Sequence, residues 1–557
     1  MKILTAEEMG AADRRSVEAG VPVAQLMENA GAAVARFCLR RFAGEGLVVV
    51  IAGKGNNGGD GMVAARHLAE AGRPVRVALL GVASDLKGDA ERAFYLAKVQ
   101  KAGGEPSGID VREIVDEGGL KAALEGAELI VDAVVGTGFK PPLRGLAAVA
   151  QGLLKEIKTP VVAVDLPSGW DADSTEEKAE GAFRADAVVT FAAPKLAHVF
   201  GHLTAGKTFG PVVVAEIGTP EAAIESDTGL SWGGASKAVA EAPRAINGNK
   251  GRLGHVLIVG GAWGKAGAPS MASLAAMRAG AGLVTAAVPE RILEIVAGVA
   301  PELMLTELRQ EAGGGGGLSL RALKEEALAG LLKGISVVGI GPGLGQEGST
   351  PEWVRGFVEK VTLPMVIDAD ALNALAGRTE LLKRAAAMKD AKGKARTIVL
   401  TPHPGEMARL VGITVPEVEA DRVGLARRFA TEHGVTLVLK GWRTLVAHPD
   451  GKIAVNTTGN PSMAKGGSGD ILTGIVSAML AQYLDPKNPN EADVAQAVEA
   501  AVFLHGLAGD FACLAQDEHT VLASDTVGHL WEAFRARVTD ADGLTWISGT
   551  ATNGAAA

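Results

Sequence analysis

Leu47-Val48-Val49-Val50-Ile51-Ala52-Gly53-Lys54-Gly55-Asn56-Asn57-Gly58-Gly59-Asp60-Gly61 sets the architecture of the N-terminal half. Residues 47–52 are apolar without polar alternation, which predicts a strand covered on both faces, as in a parallel sheet. A glycine turn follows, and 62–71 reads as a helix. Strand, turn and helix together make one α/β repeat. Gly53, Gly55 and Gly58 have dinucleotide-fingerprint spacing, which brings backbone amides and a helix N-terminus to a pyrophosphate. A plain tight turn satisfies the same spacing. Asn56, Asn57 and Asp60 exceed what a phosphate turn needs; two amides and a carboxylate at a strand end suit a ribose or an ion.

The pattern recurs on both sides. Apolar runs at 75–80, 129–135, 161–166, 187–191 and 212–217 read as strands, with a helix over 12–42 before them. After a stretch of weak periodicity a second series begins: 255–260, 283–288, 335–340, 365–368, 397–400, 436–440 and 444–448. The expected fold is α/β in two domains: an N-terminal Rossmann-like three-layer αβα sandwich over 1–218 and a C-terminal αβα domain over 246–537. A linker is expected at 219–245 and a disordered tail at 538–557. The Gly313–Gly317 run reads as a surface loop.

A chain of 557 residues exceeds what one hydrophobic core supports. Aromatics make up only 4%, against 74 glycines, so the cores must be aliphatic, which argues against an aromatic-rich β-sandwich. The net charge of −9 disfavours nucleic acid as a partner. Two cysteines far apart, Cys38 and Cys513, fit reduced thiols. No signal-peptide h-region and no membrane-length apolar run stand out. The expectation is a cytoplasmic protein without a membrane partner, forming a homo-oligomer.

Gly201–Thr208 matches the P-loop pattern by letter, but it runs into Phe209-Gly210-Pro211 and a strand, not a helix, so it is set aside. Further strand ends carry a shared polar signature: Asp132 before Gly136-Thr137-Gly138, and Asp165-Leu166-Pro167-Ser168-Gly169. In open α/β sheets such ends converge at the ligand crevice. Asp and Ser also cap helices and close turns. Oxygen donors without His or Cys suit a hard cation or a polar substrate.

In the second half, Gly260-Gly261 through Ala268, Gly341-Pro342-Gly343-Leu344-Gly345, Asp368-Ala369-Asp370 and His403-Pro404-Gly405-Glu406 all follow strands. The most specific element is Asn460-Pro461-Ser462-Met463-Ala464-Lys465-Gly466-Gly467-Ser468-Gly469-Asp470 before a helix. Its glycines expose amides at a helix N-terminus, and Asp470 falls in the first turn, placed to activate a hydroxyl for phosphoryl transfer. A first-turn carboxylate also simply favours the helix dipole. Lys465 could add a phosphate contact.

Asn56–Gly61 with Asp132–Gly138 and Asp165–Gly169 resembles the NAD(P)H-hydrate epimerase family. Gly-Ser-Gly-Asp resembles the ribokinase-like superfamily. The fuller set, with Arg278-Ala279-Gly280-Ala281-Gly282, is similar to ADP-dependent NAD(P)H-hydrate dehydratase. The first resemblance implies that Asn57, Asp132 and Ser168 bind K+. It implies that Asn56, Asn57, Gly58, Gly59, Asp60, Gly136, Thr137, Gly138, Phe139, Lys140, Pro141, Pro142 and Asp165 contact hydrated NAD(P)H. Asp165 is the expected acid–base group, with Asp60 the alternative. The second implies that Lys440, Gly441, Trp442, Arg443, Thr444 and Gly469 hold ADP with Mg2+, and that Ala268, Gly343, His403 and Asp470 contact the substrate. Asp470 is its expected catalytic base. The rival reading is a small-molecule kinase with a nucleotide-binding regulatory N-terminal half.

Overall fold

The computed structural model describes all residues except 100–107, 207, 312–316, 390–392, 394, 485–491 and 551–557. The chain forms two units, Met1–Thr228 with Arg537–Ala557, and Gly229–Ala536. Among the described residues the first unit contributes β1 (Leu47–Ala52), β2 (Val75–Leu80), β3 (Asp110–Ile114), β4 (Ala127–Ala133), β5 (Val161–Val164), β6 (Ala187–Phe191) and β7 (Val212–Ala215). The second contributes β8 (Leu230–Trp232), β9 (His255–Val259), β10 (Leu283–Val288), β11 (Met304–Glu307), β12 (Val337–Ile340) and β13 (Met365–Ile367). It continues with β14 (Ile398–Leu400), β15 (Thr436–Leu439), β16 (Leu445–Ala447) and β17 (Ile453–Val455). Finally β18 (Leu544–Ser548) belongs to the first unit again.

The first sheet has the order β18-β7-β6-β5-β4-β1-β2-β3. Its strands are parallel except β18, which runs antiparallel to β7. Strand β1 shows why three layers form. Val48, Val50 and Ala52 join one core with Leu26 and Met27 of the Val23–Arg41 helix and Leu68 of the Asn56–Glu70 helix. Val49 and Ile51 join the opposite core with Leu120, Ala150 and Leu154. Each such fully buried aliphatic side chain contributes about 1.5–3 kcal/mol. The second sheet has the order β11-β10-β9-β12-β13-β14-β15-β16-β17-β8, with β16 antiparallel to both its neighbours.

The two-domain α/β expectation matches, and three details are corrected. The helix expected over 12–42 is two helices, Ala6–Glu18 and Val23–Arg41. Gly20 at φ +92° and Pro22 at the second N-cap break it, since one leaves the helical region and the other lacks an amide hydrogen. The expected linker at 219–245 contains β8, paired parallel with β17. Trp232 there is 1% exposed and donates its indole N–H to Thr457 Oγ1 at 2.8 Å. A three-residue strand is too short to show a period. The expected tail at 538–557 contains β18; the Trp546 ring lies 6.2 Å from that of Phe37, and Asp540 and Asp542 pair with Arg40 at 2.9 and 2.7 Å. Of the Gly313–Gly317 loop only Gly317 lies within the described residues. One described helix, Val494–Ala515, has the length and hydropathy of a membrane span, and 78% of its apolar window is buried.

Candidate functional sites

Each sheet reverses its strand order once, between β1 and β4 in the first unit and between β9 and β12 in the second. Such switch points open a crevice at the strands' carboxyl ends, and the singled-out motifs lie at both.

In the first unit, Asn56–Gly61 is not a loop but the opening of the Asn56–Glu70 helix, with Gly55 as N-cap. A Cβ on Gly58 would lie 2.0 Å from the Gly53 carbonyl oxygen, and one on Gly53 would lie 2.0 Å from that of Val134, so the turn presses directly on the end of β4. Gly136 is wedged between Asn57 and Asp165: a Cβ there would be 3.0 Å from Asn57 Oδ1 and 3.1 Å from Asp165 Oδ2.

Asp165 sits at φ +67°, a conformation L residues adopt at a cost. Its surroundings hold it there. Oδ2 accepts from the Thr137 amide at 2.9 Å and from the Thr137 hydroxyl; Oδ1 accepts from Thr190 Oγ1 and Lys195 Nζ, both at 2.9 Å. Its carbonyl lies 2.7 Å from His198 Nε2. The Lys195 amide donates to His198 Nδ1 at 2.9 Å, so Nε2 carries the proton in the neutral ring and donates to that carbonyl. Burial alone would raise the Asp165 pKa, but the Lys195 ammonium and the Thr137 bonds hold it well below the usual carboxylate range. Asp60 is opposite: burial, then the nearby Asp165 and Asp13 charges, push it well up. His198 is lowered to about 4 by burial and by Lys195.

Asp132 and Ser168 touch directly. Ser168 donates its hydroxyl to Asp132 Oδ1 at 2.6 Å and its amide to Oδ2 at 2.7 Å, while the Val135 amide donates to Ser168 Oγ at 3.0 Å. Burial raises Asp132 to about 6 despite these bonds. The buried Nδ2 of Asn57 has no hydrogen-bond partner. The side-chain oxygens of the three residues suit a hard cation chemically, whereas the Asn57 N–H group is a donor and takes no part in such a set. Of the loop residues, Phe139 turns back to donate its amide to the Gly136 carbonyl at 3.0 Å. Lys140 is spread between Asp171 at 2.7 Å and Asp173 at 2.8 Å, while Gly138, Pro141 and Pro142 are exposed. Sequence reasoning missed Thr190, Lys195 and His198, although Pro194-Lys195 follows the end of β6 as Asp165 follows that of β5.

In the second unit, a Cβ on Gly260 would lie 2.4 Å from the Pro342 carbonyl, and one on Gly343 3.0 Å from Ala268 Cβ, so these turns pack backbone to backbone. Lys440 donates to Asp368 Oδ1 at 3.0 Å and lies 3.8 Å from Glu406; Thr473 donates to Asp368 Oδ2 at 2.8 Å. Burial would lower Lys440, but Asp368 and Glu406 prevail and raise it. Its Nζ would be 3.1 Å from a Cβ on Gly469, which puts an ammonium beside the glycine turn. Gly467, at φ +99°, is N-cap of the Ser468–Tyr483 helix, and Asp470 lies in the first turn. Burial, then Asp368, pushes Asp470 up to about 7.

His403 is the N-cap of the Pro404–Val411 helix. Its Nδ1 accepts from the Gly405 amide at 3.0 Å, and its own amide donates to Glu406 Oε2 at 2.8 Å. Glu406 is therefore a capping residue, and the half-exposed His403 ring has its Nε2 3.5 Å from Glu406 Oε1. Burial lowers the His403 pKa. After β15 the chain turns through Gly441 at φ +136° and Arg443 at φ +53°. The Arg443 guanidinium lies 4.3 Å over the Trp442 ring and donates to the Thr457 carbonyl at 2.8 Å; Thr444 Oγ1 closes on the Gly441 carbonyl at 3.2 Å. Lys465 is a correction: it donates to the carbonyls of His519, at 2.8 Å, and Val521, and so is committed to its own fold. Sequence reasoning also missed Asp510, buried and raised to about 6, which accepts from the Gly459 amide at 3.1 Å and Asn460 Nδ2 at 2.9 Å. Polar residues on the otherwise apolar Val494–Ala515 helix were the available signal.

Fold and sites define an α/β protein with a ligand crevice in each unit, the second built around an amide turn and a raised carboxylate. Residues 23–197 match the family model of the YjeF-related protein N-terminus, and residues 256–531 that of NAD(P)H-hydrate dehydratase. The chain belongs to the bifunctional NAD(P)H-hydrate repair enzyme family. It is 40% identical to the bifunctional NAD(P)H-hydrate repair enzyme Nnr of Moorella thermoacetica over 547 residues, 95% of this chain and 96% of the relative. It is 37% identical to that of Pyrobaculum aerophilum over 541 residues, 96% and 98%. The ADP/ATP-dependent NAD(P)H-hydrate dehydratase from Bacillus subtilis, co-crystallised with ATP/Mg2+, is 28% identical, with TM-score 0.42, over 54% of this chain and 96% of that one.

Proposed function

We propose that this chain repairs hydrated NAD(P)H, its first unit interconverting the R and S epimers and its second dehydrating the S epimer while ADP becomes AMP and phosphate. The observation that carries this reading is Asp470: a carboxylate raised to about 7, one residue beyond the amide turn and flanked by Lys440. A base of that pKa is suited to take a proton from a ring hydroxyl near neutrality. The hydroxyl oxygen then attacks the terminal phosphorus of ADP, AMP leaves, and the turn amides with Lys440 stabilise the transferring charge. Phosphate is a far better leaving group than hydroxide. Its loss from the ring, with a proton from the neighbouring carbon, restores the double bond.

Trp442, 43% exposed, offers a stacking face for adenine, and Lys440–Thr444 with Gly469 hold the nucleotide. Among the described residues no cluster of His, Cys, Asp or Glu forms a metal cage, which suits Mg2+ carried by the phosphates and water. Mg2+ would neutralise phosphate charge during transfer. Ala268, Gly343 and His403 line the substrate side.

In the first unit, the Asp165 pKa is pulled down and that of Asp60 pushed up, so Asp165 is the acceptor and Asp60 the donor in epimerisation. Asn57, Asp132 and Ser168 would hold K+, orienting the polar part of the substrate against Asn56–Asp60 and Gly136–Pro142. The test uses the full-length protein with a mixture of R and S hydrates, ADP and Mg2+, following the absorbance of restored NADH. Wild type should convert all of the mixture. Asp165→Asn should stop after the S fraction, and Asp470→Asn should convert neither. Complete conversion by Asp470→Asn overturns the assignment.

A further inference from the structure

The chain carries three cations around a cleft at the end of the second unit remote from Asp470. The cleft, of about 470 Å3, is lined among others by Arg244, Lys250, Arg252, Leu253, Met277 and Tyr483. Among the described residues no Asp or Glu lines it, in a chain of net charge −9. It lies where the Gly267–Arg278 and Ser468–Tyr483 helices end, whereas Ala268 and Asp470 lie where those helices begin. At 1.5 Å per residue the helices are about 18 and 24 Å long, so the cleft and the proposed phosphoryl-transfer site stand a helix length apart.

Basic residues at helix C-termini often serve only to satisfy the last carbonyls. Here Gln482 and Arg244 serve carbonyls beside the helix ends. Gln482 Nε2 donates to the carbonyls of Ala279 and Ala478 at 2.9 and 3.0 Å, and Arg244 donates to that of Gly280 at 3.0 Å and to Gln482 Oε1 at 2.7 Å. Lys250 and Arg252 take no part in it. Arg252 makes a 3.5 Å contact with Asn247 Oδ1, and among the described residues no carboxylate pairs with Arg244, Lys250 or Arg252. The wall they stand on is fixed by the Arg278–Gly282 motif. A Cβ on Gly282 would lie 1.9 Å from the Lys250 carbonyl, and one on Gly280 2.2 Å from the Arg244 guanidinium. Gly282 is what lets the Lys250 backbone seat this closely, and Gly280 lies at φ +101°. The Tyr483 phenol, 8% exposed, with Met277 and Leu253, adds an apolar flank.

We propose that this cleft is a second anion site, binding a phosphate-bearing small molecule of up to mononucleotide size. Arg and Lys donors with no carboxylate partner among the described residues suit phosphate oxygens, the volume lies in the range of small-molecule sites, and the apolar flank suits a base or sugar.

Titration calorimetry of the full-length protein with inorganic pyrophosphate tests the site, against Lys250→Ala/Arg252→Ala and Lys250→Glu/Arg252→Glu double variants. The melting temperature and dehydration rate of each variant are read alongside. Wild type should show, besides binding at the phosphoryl-transfer site, a class of sites that weakens about tenfold or more in both variants, while dehydration at saturating ADP is unchanged. AMP as a second probe separates sources, read as the component of binding that the double variants lose: a component tighter than that of pyrophosphate marks a nucleotide site, and an equal one a site for free phosphates. Wild-type binding absent, or equal in wild type and folded variants, overturns the proposal.

Discussion

Burial acts on Asp470 and Asp165 in the same direction, and their neighbours decide the outcome. Asp470 faces other carboxylates and is raised to about 7; Asp165 faces Lys195 and is lowered. The base form of Asp470 is the carboxylate, so dehydration kcat/KM should climb as pH rises through about 7 and level off above it. Asp470→Asn should flatten that profile and lower kcat by about 10²- to 10⁴-fold. Lys195→Met should leave a buried carboxylate without its cation, at a cost of about 3–5 kcal/mol at neutral pH. A depressed carboxylate contributes stability above its unfolded pKa and loses it as pH falls, so the gap between wild type and Lys195→Met should narrow in acid. Urea denaturation at neutral and acidic pH reads this; a gap that widens in acid would contradict the role given to Lys195. Asp165, Asp132 and Ser168 stood out in the sequence because strand ends announce themselves. Lys195 did not, because nothing local says that a lysine thirty residues on will fold beneath that carboxylate.

At the scale of elements, the legible parts are those buried on both faces. Strand β1 reads as a strand because all its neighbours are protein. Strand β3, Asp110-Val111-Arg112-Glu113-Ile114, lies at the sheet edge with polar side chains to solvent, and carries no such signal. The turn after β1 is tight enough to make a strong prediction. Gly58→Ala would drive a methyl against the Gly53 carbonyl, which is backbone and has little room to yield. Overpacking of this kind costs about 1–3 kcal/mol, and it should displace Asn57, so epimer exchange should be lost while dehydration of the S epimer continues. Full epimer exchange in Gly58→Ala would show that the turn tolerates rearrangement.

At the scale of the molecule, each unit has its own sheet, cores and crevice, and the two-domain pattern was plain from two runs of βα repeats. The boundaries were not, because β8 and β18 are short edge strands set among small and polar residues. Trp546 gives the clearest measure of what β18 adds. Packed against Phe37 and 6% exposed, it should cost about 3–5 kcal/mol when replaced by Ala. Differential scanning calorimetry should place that loss in the transition of the first unit and leave the second unchanged.

The return of β18 to the first sheet also sets an order of events during synthesis. A ribosome delivers β1 to β7 early, then the whole of 229–536, and only then the strand that covers β7. Until that moment the nascent first unit carries an open sheet edge, which is a template for unwanted pairing with other chains. The second unit, continuous in sequence, is free to fold while the first still waits for its last strand.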